Sequence, residues 1–108
     1  MPRQAEPGEV WLVDLGLAAK LRPCLILTET PGDNELALQY VVPHTTVIRN
    51  DKWEMEAAAP FLKKAGVFHL QQIRPIPLAK LERRLGEISP DEFRIIKSTI
   101  IKRLNLDQ

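Results

Sequence analysis

Cysteine is nearly absent from this chain, because the 108 residues include only one, Cys24. A single cysteine excludes an internal disulfide and any metal site built from several thiolates. Cys24 lies inside the apolar run 24–27, and we therefore interpret it as a buried core residue and not as a nucleophile. A cytosolic protein is the simplest interpretation of this cysteine usage.

Long hydrophobic stretches are missing as well. The apolar runs are too short and too often interrupted to span a membrane. Residues 1–9 are polar and contain proline, without the apolar centre of a signal peptide. The chain is nonetheless globular in composition, since 44% of its residues are hydrophobic, and its length predicts one domain, residues 1–108, with a modest core.

Net charge is also scarce, at +1 near pH 7. Proteins that bind nucleic acids by general attraction are usually more basic. Binding of RNA or DNA would therefore need a local cluster of cations. The candidates are Arg22, Arg49, Lys52, Lys63 and Lys64, and ordinary solvated surface charge is the alternative for each of them.

Short apolar runs rich in β-branched and aromatic residues are abundant, and this pattern is typical of strands. Strands are predicted over residues 8–15, 22–30, 35–42, 53–57 and 66–74. The turn sequence Pro-Gly-Asp-Asn at 31–34 predicts a hairpin between the second and third strands. Pro43 is expected to end the third strand, and Pro75 and Pro77 are expected to end the fifth.

Three segments are less regular. Residues 44–52 are compatible with a short strand or a loop, and residues 60–66 with a helical turn or a loop. A short helical piece is predicted over residues 78–85, closed by Gly86 in the left-handed conformation.

The C-terminal helix has the clearest local signals. Ser89, Pro90 and Glu92 form a capping box with proline at the first helical position. An apolar stripe at helical spacing follows, made of Phe93, Ile96, Ile100 and Leu104 and widened by Ile95 and Ile101. We expect this helix to dock on the sheet and its wide apolar face to reach a partner subunit as well. The predicted fold is therefore mainly β with one C-terminal helix, arranged as a small antiparallel barrel or curled sheet.

Polar side chains stand where two of the predicted strands begin or end. Arg22 precedes Pro23 at the start of the second strand, whereas His44, Thr45 and Thr46 follow the third. Such positions hold a side chain rigidly and still expose it. A fixed guanidinium, an imidazole and hydroxyl groups suit a phosphate ester as the ligand.

Five motifs follow one another along the chain: GEVWLVD at 8–14, RPCLIL at 22–27, VPHT at 42–45, GV at 66–67 with QIR at 72–74, and LGEIS at 85–89. Their order and spacing resemble the MazF/PemK toxin family over residues 8–106. This resemblance implies an SH3-like barrel of the CcdB/MazF type that acts as a homodimer. It further implies an endoribonuclease without metal or cofactor, which cuts single-stranded mRNA selectively to a 2′,3′-cyclic phosphate and a 5′-hydroxyl. The partner of such a toxin is a cognate antitoxin.

The resemblance also implies site residues. Arg22 matches the family arginine before proline, and Thr45 matches the first threonine after the strand end, so both are predicted to be catalytic. His69, where some members carry arginine, is the third catalytic candidate, because an imidazole can act as an acid or a base near pH 7. The predicted RNA-binding residues are His44, Thr46, Arg49, Gln72 and Lys20.

One departure from the family leaves an alternative open. Many members have aspartate where this chain has Gln71, and glutamine cannot accept a proton as a general base. The alternatives are a catalytically inactive or gyrase-binding module on the same fold, or a barrel that mediates only protein contacts.

Trp11 and Trp53 could stack on bases, but packing in the core is the favoured interpretation of both.

Overall fold

The computed structural model describes residues 4–16 and 21–107. Within them the chain forms strands β1 (Glu9–Asp14), β2 (Leu21–Ile26), β3 (Leu38–Thr45), β4 (Glu54–Met55), β5 (Val67–His69), β6 (Arg74–Pro77) and β7 (Leu81–Glu87), followed by helix α1 (Pro90–Arg103). The predicted fold class is confirmed. In the part of the chain that the structure describes, the end strands β4 and β7 do not pair with each other, so the sheet curls without closing. No helix among these residues is long and apolar enough to cross a membrane.

Strand β3 is the centre of the sheet. One of its edges pairs with β2, whereas the other pairs with β6 along Leu38–Val41 and then with β5 at His44 and Thr45. Strand β1 lies between β2 and β7, and all pairs are antiparallel. The expectation that Pro43 ends the third strand is wrong. Pro43 falls between the residues that pair with β6 and those that pair with β5, where its missing N–H removes no ladder bond on that edge.

The predicted fifth strand is divided in two. Strand β5 ends at His69, a 3₁₀ turn covers Leu70–Gln72, and β6 then contains both prolines that were expected to end the strand. Pro75 and Pro77 are two residues apart, so both nitrogens point to the same edge of β6. The edge away from β3 is unpaired among the described residues and tolerates the missing donors.

The predicted helical piece over residues 78–85 is also wrong. Only Leu78–Lys80 forms a 3₁₀ turn, and β7 then pairs with β1, with Gly86 opposite Val10 instead of capping a helix. Judged from its neighbours in sequence alone, Gly86 is compatible with a left-handed residue at the end of a helix. Pairing with β1 decides its conformation instead. Residues 60–66 form a loop, and the segment after Thr45 has no strand until β4.

Two apolar clusters lie on opposite faces of the sheet. The helix-side core consists of Val10, Leu25, Val42, Phe68, Leu70 and Ile88 together with Phe93, Ile96 and Ile100 of α1. The cavity-side core consists of Ala5, Trp11, Val13, Cys24, Ile26, Val41, Ile76 and Leu81. Neighbouring residues such as Cys24 and Leu25 enter different clusters because successive side chains on a strand point to opposite faces. The core positions of Cys24 and Trp11 are as predicted.

Helix α1 begins as the capping box predicts. The Ser89 hydroxyl accepts a hydrogen bond from the Glu92 amide at 3.2 Å. The Glu92 carboxylate in turn accepts one from the Ala58 amide at 2.7 Å, and this bond, with those from Ser89, holds the pKa of Glu92 below its usual value. Trp53 packs half-buried against the helix-side core, in agreement with its predicted packing role. The outer part of the apolar stripe, at Ile95, Ile101 and Leu104, stays exposed.

Candidate active site

The pairing of β2 with β3 brings the two predicted catalytic residues together. Cys24 pairs with Pro43 across these strands. If this register is extended by two residues, Arg22 stands opposite Thr45. Cross-strand neighbours on one face have Cβ atoms about 5 Å apart. Two side chains that are distant in sequence therefore meet at the end of the cavity-side core.

A cavity of about 300 Å³ opens at this point, and we call it the arginine cavity. Its polar lining consists of Arg22, Thr45, Arg49, His69, Gln72 and Arg74. Five of these six were predicted as site residues, and the cavity lining includes no carboxylate. Within the part of the chain that the structure describes, none of the three arginines forms an ion pair. Unpaired guanidinium groups in a small concave site attract an anion, and their planar donors match phosphate oxygens.

The hydroxyl oxygen of Thr45 is held by a contact with the backbone. Its Oγ1 accepts a hydrogen bond from the Val47 amide at 3.1 Å. With one lone pair engaged in this way, the hydroxyl hydrogen stays available to a ligand oxygen. The backbone behind Thr45 is tightly packed, because a Cβ at Gly66 would collide with the Thr45 carbonyl oxygen and the His44 ring.

His69 lies in the wall of the arginine cavity and is 7% exposed. Its Nε2 is 3.3 Å from Oδ2 of Asp51, whereas its Nδ1 is buried and has no hydrogen-bond partner among the described residues. Asp51, Glu54 and His69 each place one possible metal-ligand atom within 4.8 Å of the others. Both carboxylates already accept hydrogen bonds from nearby backbone amides, so the loop itself accounts for this cluster.

Cys24 is part of the cavity-side core near Arg22 and Arg74. It takes no part in nucleophilic chemistry. Burial raises the pKa of its thiol to about 12, even though Arg74 and Arg22 act in the opposite direction. The thiol is therefore protonated at neutral pH, and only the thiolate is an effective nucleophile.

His44 and Thr46, both predicted to bind RNA, do not lie in the arginine cavity. They line a larger cavity of about 510 Å³ on the other face of the sheet, which we call the opposite cavity. The reason is the alternation along β3, since Pro43 and Thr45 face one side and His44 faces the other. His44 packs edge-on against Phe68 with ring centroids 5.1 Å apart, and burial lowers its pKa. The basic residues of the opposite cavity are Lys63, Lys64, Arg83 and Arg84.

Three further positions complete the comparison with the sequence. Lys20, the remaining predicted RNA-binding residue, lies outside the described residues. Arg74 was not predicted, although it stands at the end of the QIR motif; it enters the arginine cavity as the first residue of β6, opposite Val41. Gln71 is exposed on the 3₁₀ turn and is not part of the cavity lining. The missing carboxylate at this position thus takes no group away from the cavity.

Comparison with known proteins gives consistent results. A model of the family described as "PemK-like, MazF-like toxin of type II toxin-antitoxin system" matches residues 6–104. A search of curated proteins finds no significant match.

Solved structures with the same fold include MazF proteins from two organisms. A chain of the MazE-MazF crystal structure (Form-II) from Deinococcus radiodurans has a TM-score of 0.78 at 18% identity, covering 94% of this chain and 96% of that one. The Mycobacterium tuberculosis toxin MazF-mt6 has a TM-score of 0.75 at 23% identity, covering 90% and 96%. A mycobacterial endoribonuclease in complex with its cognate antitoxin has a TM-score of 0.75 at 24% identity, covering 94% and 96%.

Proposed function

Because this chain belongs to the family of PemK-like, MazF-like toxins of type II toxin-antitoxin systems, we propose that it is a metal-independent, sequence-selective endoribonuclease. Its substrate is single-stranded mRNA in the cytoplasm. The products are a 2′,3′-cyclic phosphate and a 5′-hydroxyl. The arginine cavity is the site of cleavage.

The observation that carries this proposal is the grouping of a threonine hydroxyl with three arginines that form no ion pair among the described residues. Arg22, Arg49 and Arg74 line one small cavity with Thr45, and its lining contains no acidic side chain to neutralise them. The side chains outside the described residues include no Asp or Glu either. Such a site favours a phosphodiester, whose charge increases as the reaction proceeds.

The reaction follows from these groups. The 2′-hydroxyl oxygen of the RNA forms a bond to the adjacent phosphorus, and the bond from phosphorus to the 5′-oxygen breaks. The 2′-hydroxyl gives its proton to solvent water, and the departing 5′-oxygen takes a proton from water. Negative charge accumulates on the non-bridging oxygens, where the Arg22 guanidinium and the Thr45 hydroxyl donate hydrogen bonds. Arg74 and Arg49 hold the phosphates, and Gln72 contacts a neighbouring base or sugar.

The alternative of an inactive or gyrase-binding module has less support. It rested on Gln71, which lies outside the lining of the arginine cavity. His44 and Thr46 stay predicted RNA contacts, and in that case the RNA strand passes around the end of β3 to the opposite cavity. The structure of a complex with uncleavable RNA tests this route.

A cognate antitoxin and a second copy of this chain are the proposed partners. The antitoxin is proposed from the family and from the similar MazE-MazF and endoribonuclease–antitoxin complexes. The exposed apolar residues of α1 offer a surface to a protein partner. Size-exclusion chromatography with light scattering measures the mass of the purified chain, and a monomer at micromolar concentration would contradict the homodimer.

The decisive experiment is cleavage of a long RNA in the presence of EDTA, followed by mapping of the ends. Discrete cuts with 5′-hydroxyl ends are expected, since no metal takes part. Intact RNA together with growth arrest of cells that express the chain would instead favour the binding module.

A further inference from the structure

The loop between β3 and β4 carries one of the three arginines of the cavity. Residues 46–53 contain no strand, yet Val47 and Arg49 both contribute to the cavity lining. An arginine on an irregular loop contributes to binding only if the loop is held, because ordering a free loop has an entropic cost. The structural question is therefore what holds Arg49 in place.

Glu54, at the start of β4, binds the loop from one side. Its Oε2 accepts a hydrogen bond from the Arg49 amide at 2.8 Å, and its Oε1 accepts one from the Asp51 amide at 3.2 Å. Asn50, between these two amides, has a φ of 62°. Asparagine is one of the few residues besides glycine that adopt this left-handed conformation readily, so Asn50 is compatible with the turn that Glu54 holds.

Asp51 connects the loop to the sheet. Its Oδ1 accepts a hydrogen bond from the Trp53 amide at 2.8 Å, and its Oδ2 is 3.3 Å from Nε2 of His69. His69 is buried on β5, opposite Glu54 in the strand register. A continuous series of contacts thus runs from His69 on β5 through Asp51 and then Glu54 to the backbone amide of Arg49.

We propose that His69 and Asp51 are positioning residues that hold the 46–53 loop so that Arg49 faces the phosphate in the arginine cavity. This inference rests on the proposed function, and it gives His69 a role different from direct acid–base catalysis. One nitrogen of its ring faces Asp51, and the other is buried without a partner among the described residues. These contacts favour a positioning role of His69 over direct proton transfer to RNA.

Binding of RNA tests the proposal, and general electrostatics makes the opposite prediction. Asp51→Ala removes a negative charge near the cavity, which by itself would tighten binding of a polyanion. If Asp51 positions Arg49, the same change weakens binding instead, by roughly tenfold, because one charge-assisted contact is lost. The probe is a pool of short single-stranded RNAs of random sequence. Their 2′-hydroxyls are methylated, so the enzyme cannot cleave them.

A double-mutant cycle identifies Arg49 as the residue through which Asp51 acts. A plot of log K against log salt has a negative slope. Arg49→Ala and Asp51→Ala are each expected to reduce the magnitude of this slope by about 0.7, the value for one phosphate contact on a single strand. The double variant should bind no more weakly than Arg49→Ala alone. His69→Ala should reproduce Asp51→Ala, and Asp51→Asn should bind RNA like the wild type, since the amide group can still form a hydrogen bond with the ring. Additive losses, or an Asp51→Ala variant that binds as tightly as the wild type, would overturn the proposal.

The control is Asp91→Ala, which makes the same change of charge at an exposed position of α1, where Asp91 pairs with Arg94 at 3.0 Å. It should leave RNA binding unchanged or slightly tighter. A thermal unfolding curve of each variant establishes that the variants are folded.

A measurement without RNA separates this inference from the proposed function. The Arg49 amide bonds to Glu54 and not to Asp51, so its hydrogen exchange reports on the loop indirectly. Asp51→Ala should accelerate this exchange by at least tenfold and leave the amides of β1 unchanged. Unchanged exchange at Arg49 would overturn the inference even if the wild type cleaves RNA. A wild type that neither binds nor cleaves RNA would overturn the proposed function, whatever the exchange result.

Discussion

Strand β3 separates two cationic cavities that differ in the kind and grouping of their basic side chains. The opposite cavity is the larger and has more basic residues. Its Arg84 pairs with Glu9 at 3.0 Å and with Glu87 at 3.5 Å, whereas Lys63, Lys64 and Arg83 form no ion pair among the described residues. Its lining also includes apolar residues such as Leu12 and Phe61. Neither lining includes a carboxylate, but the arginine cavity is smaller and groups three guanidinium groups, which form no ion pair among the described residues, with a hydroxyl whose oxygen accepts a hydrogen bond from the Val47 amide. The number of cations therefore does not distinguish the two cavities as candidate sites, and we expect the grouping of planar guanidinium donors beside a threonine hydroxyl to do so.

Substituting one arginine in each cavity by alanine should give the largest difference in cleavage rate. Arg22→Ala is expected to lower the cleavage rate by about 10²–10³-fold, the typical loss for one preorganised donor to a developing charge. Arg83→Ala, in the opposite cavity, should change the rate by less than about threefold. Single-turnover cleavage of a defined RNA measures both. Unchanged cleavage by Arg22→Ala would remove this residue from the catalytic group.

The two neighbouring threonines provide a second contrast, with an expected loss of about 10²-fold for Thr45→Val. The substitution keeps the shape of the side chain and removes the donor. Thr46→Val should have a much smaller effect, because Thr46 lies on the other side of the sheet. Equal losses for the two variants in the same cleavage assay would show that the two faces do not differ in function.

Arg74 tests whether the cavity contains a second phosphate contact. Arg74→Ala should weaken binding of uncleavable single-stranded RNA roughly tenfold. It should also reduce the magnitude of the slope of log K against log salt by about 0.7. Arg94→Ala on the exposed side of α1 is the matched control. An unchanged slope for Arg74→Ala would mean that its guanidinium does not reach the RNA.

Substitutions of His69 and Lys64 compare side chains that line the two cavities. His69→Ala should lower cleavage several-fold through the loop that carries Arg49, whereas Lys64→Ala should have little effect. The cleavage rates of the two variants at saturating and at limiting RNA show whether the loss is in binding or in the chemical step. Equal effects would exclude a role of His69 at the site.

The smallest expected effect concerns His44, behind the strand end. Burial lowers the pKa of His44 in the folded state, so below about pH 6.5 the unfolded chain binds more protons, and the fold loses stability as pH falls. The loss is at most about 1.4 kcal/mol at pH 5.5. The unfolding free energy of the wild type should therefore fall more between pH 7.5 and 5.5 than that of His44→Gln. Parallel curves would mean that His44 is accessible to protons in the folded state.

Much of the site could be predicted because its residues stand next to strong local signals. Arg22 precedes a proline and an apolar run, and Thr45 follows one, so both were expected at strand ends. Arg74 escaped prediction because strand and turn share the 66–74 segment, and its sequence gives no sign of the 3₁₀ turn at Leu70–Gln72 that redirects the chain. Gly86 was misinterpreted for a similar reason, since its pairing with Val10 is a long-range contact.

The sequence by itself determined the elements whose causes are local. The capping box at Ser89 and the spacing of Phe93, Ile96 and Ile100 fix helix α1, because capping and periodicity act within a few residues. Tertiary structure alone decided which polar groups share a cavity. The register of β2 on β3 sets Arg22 opposite Thr45, and alternation of side chains turns His44 to the other face. Strand register depends on residues that are far apart in the chain, and a shift by one position would exchange the two faces.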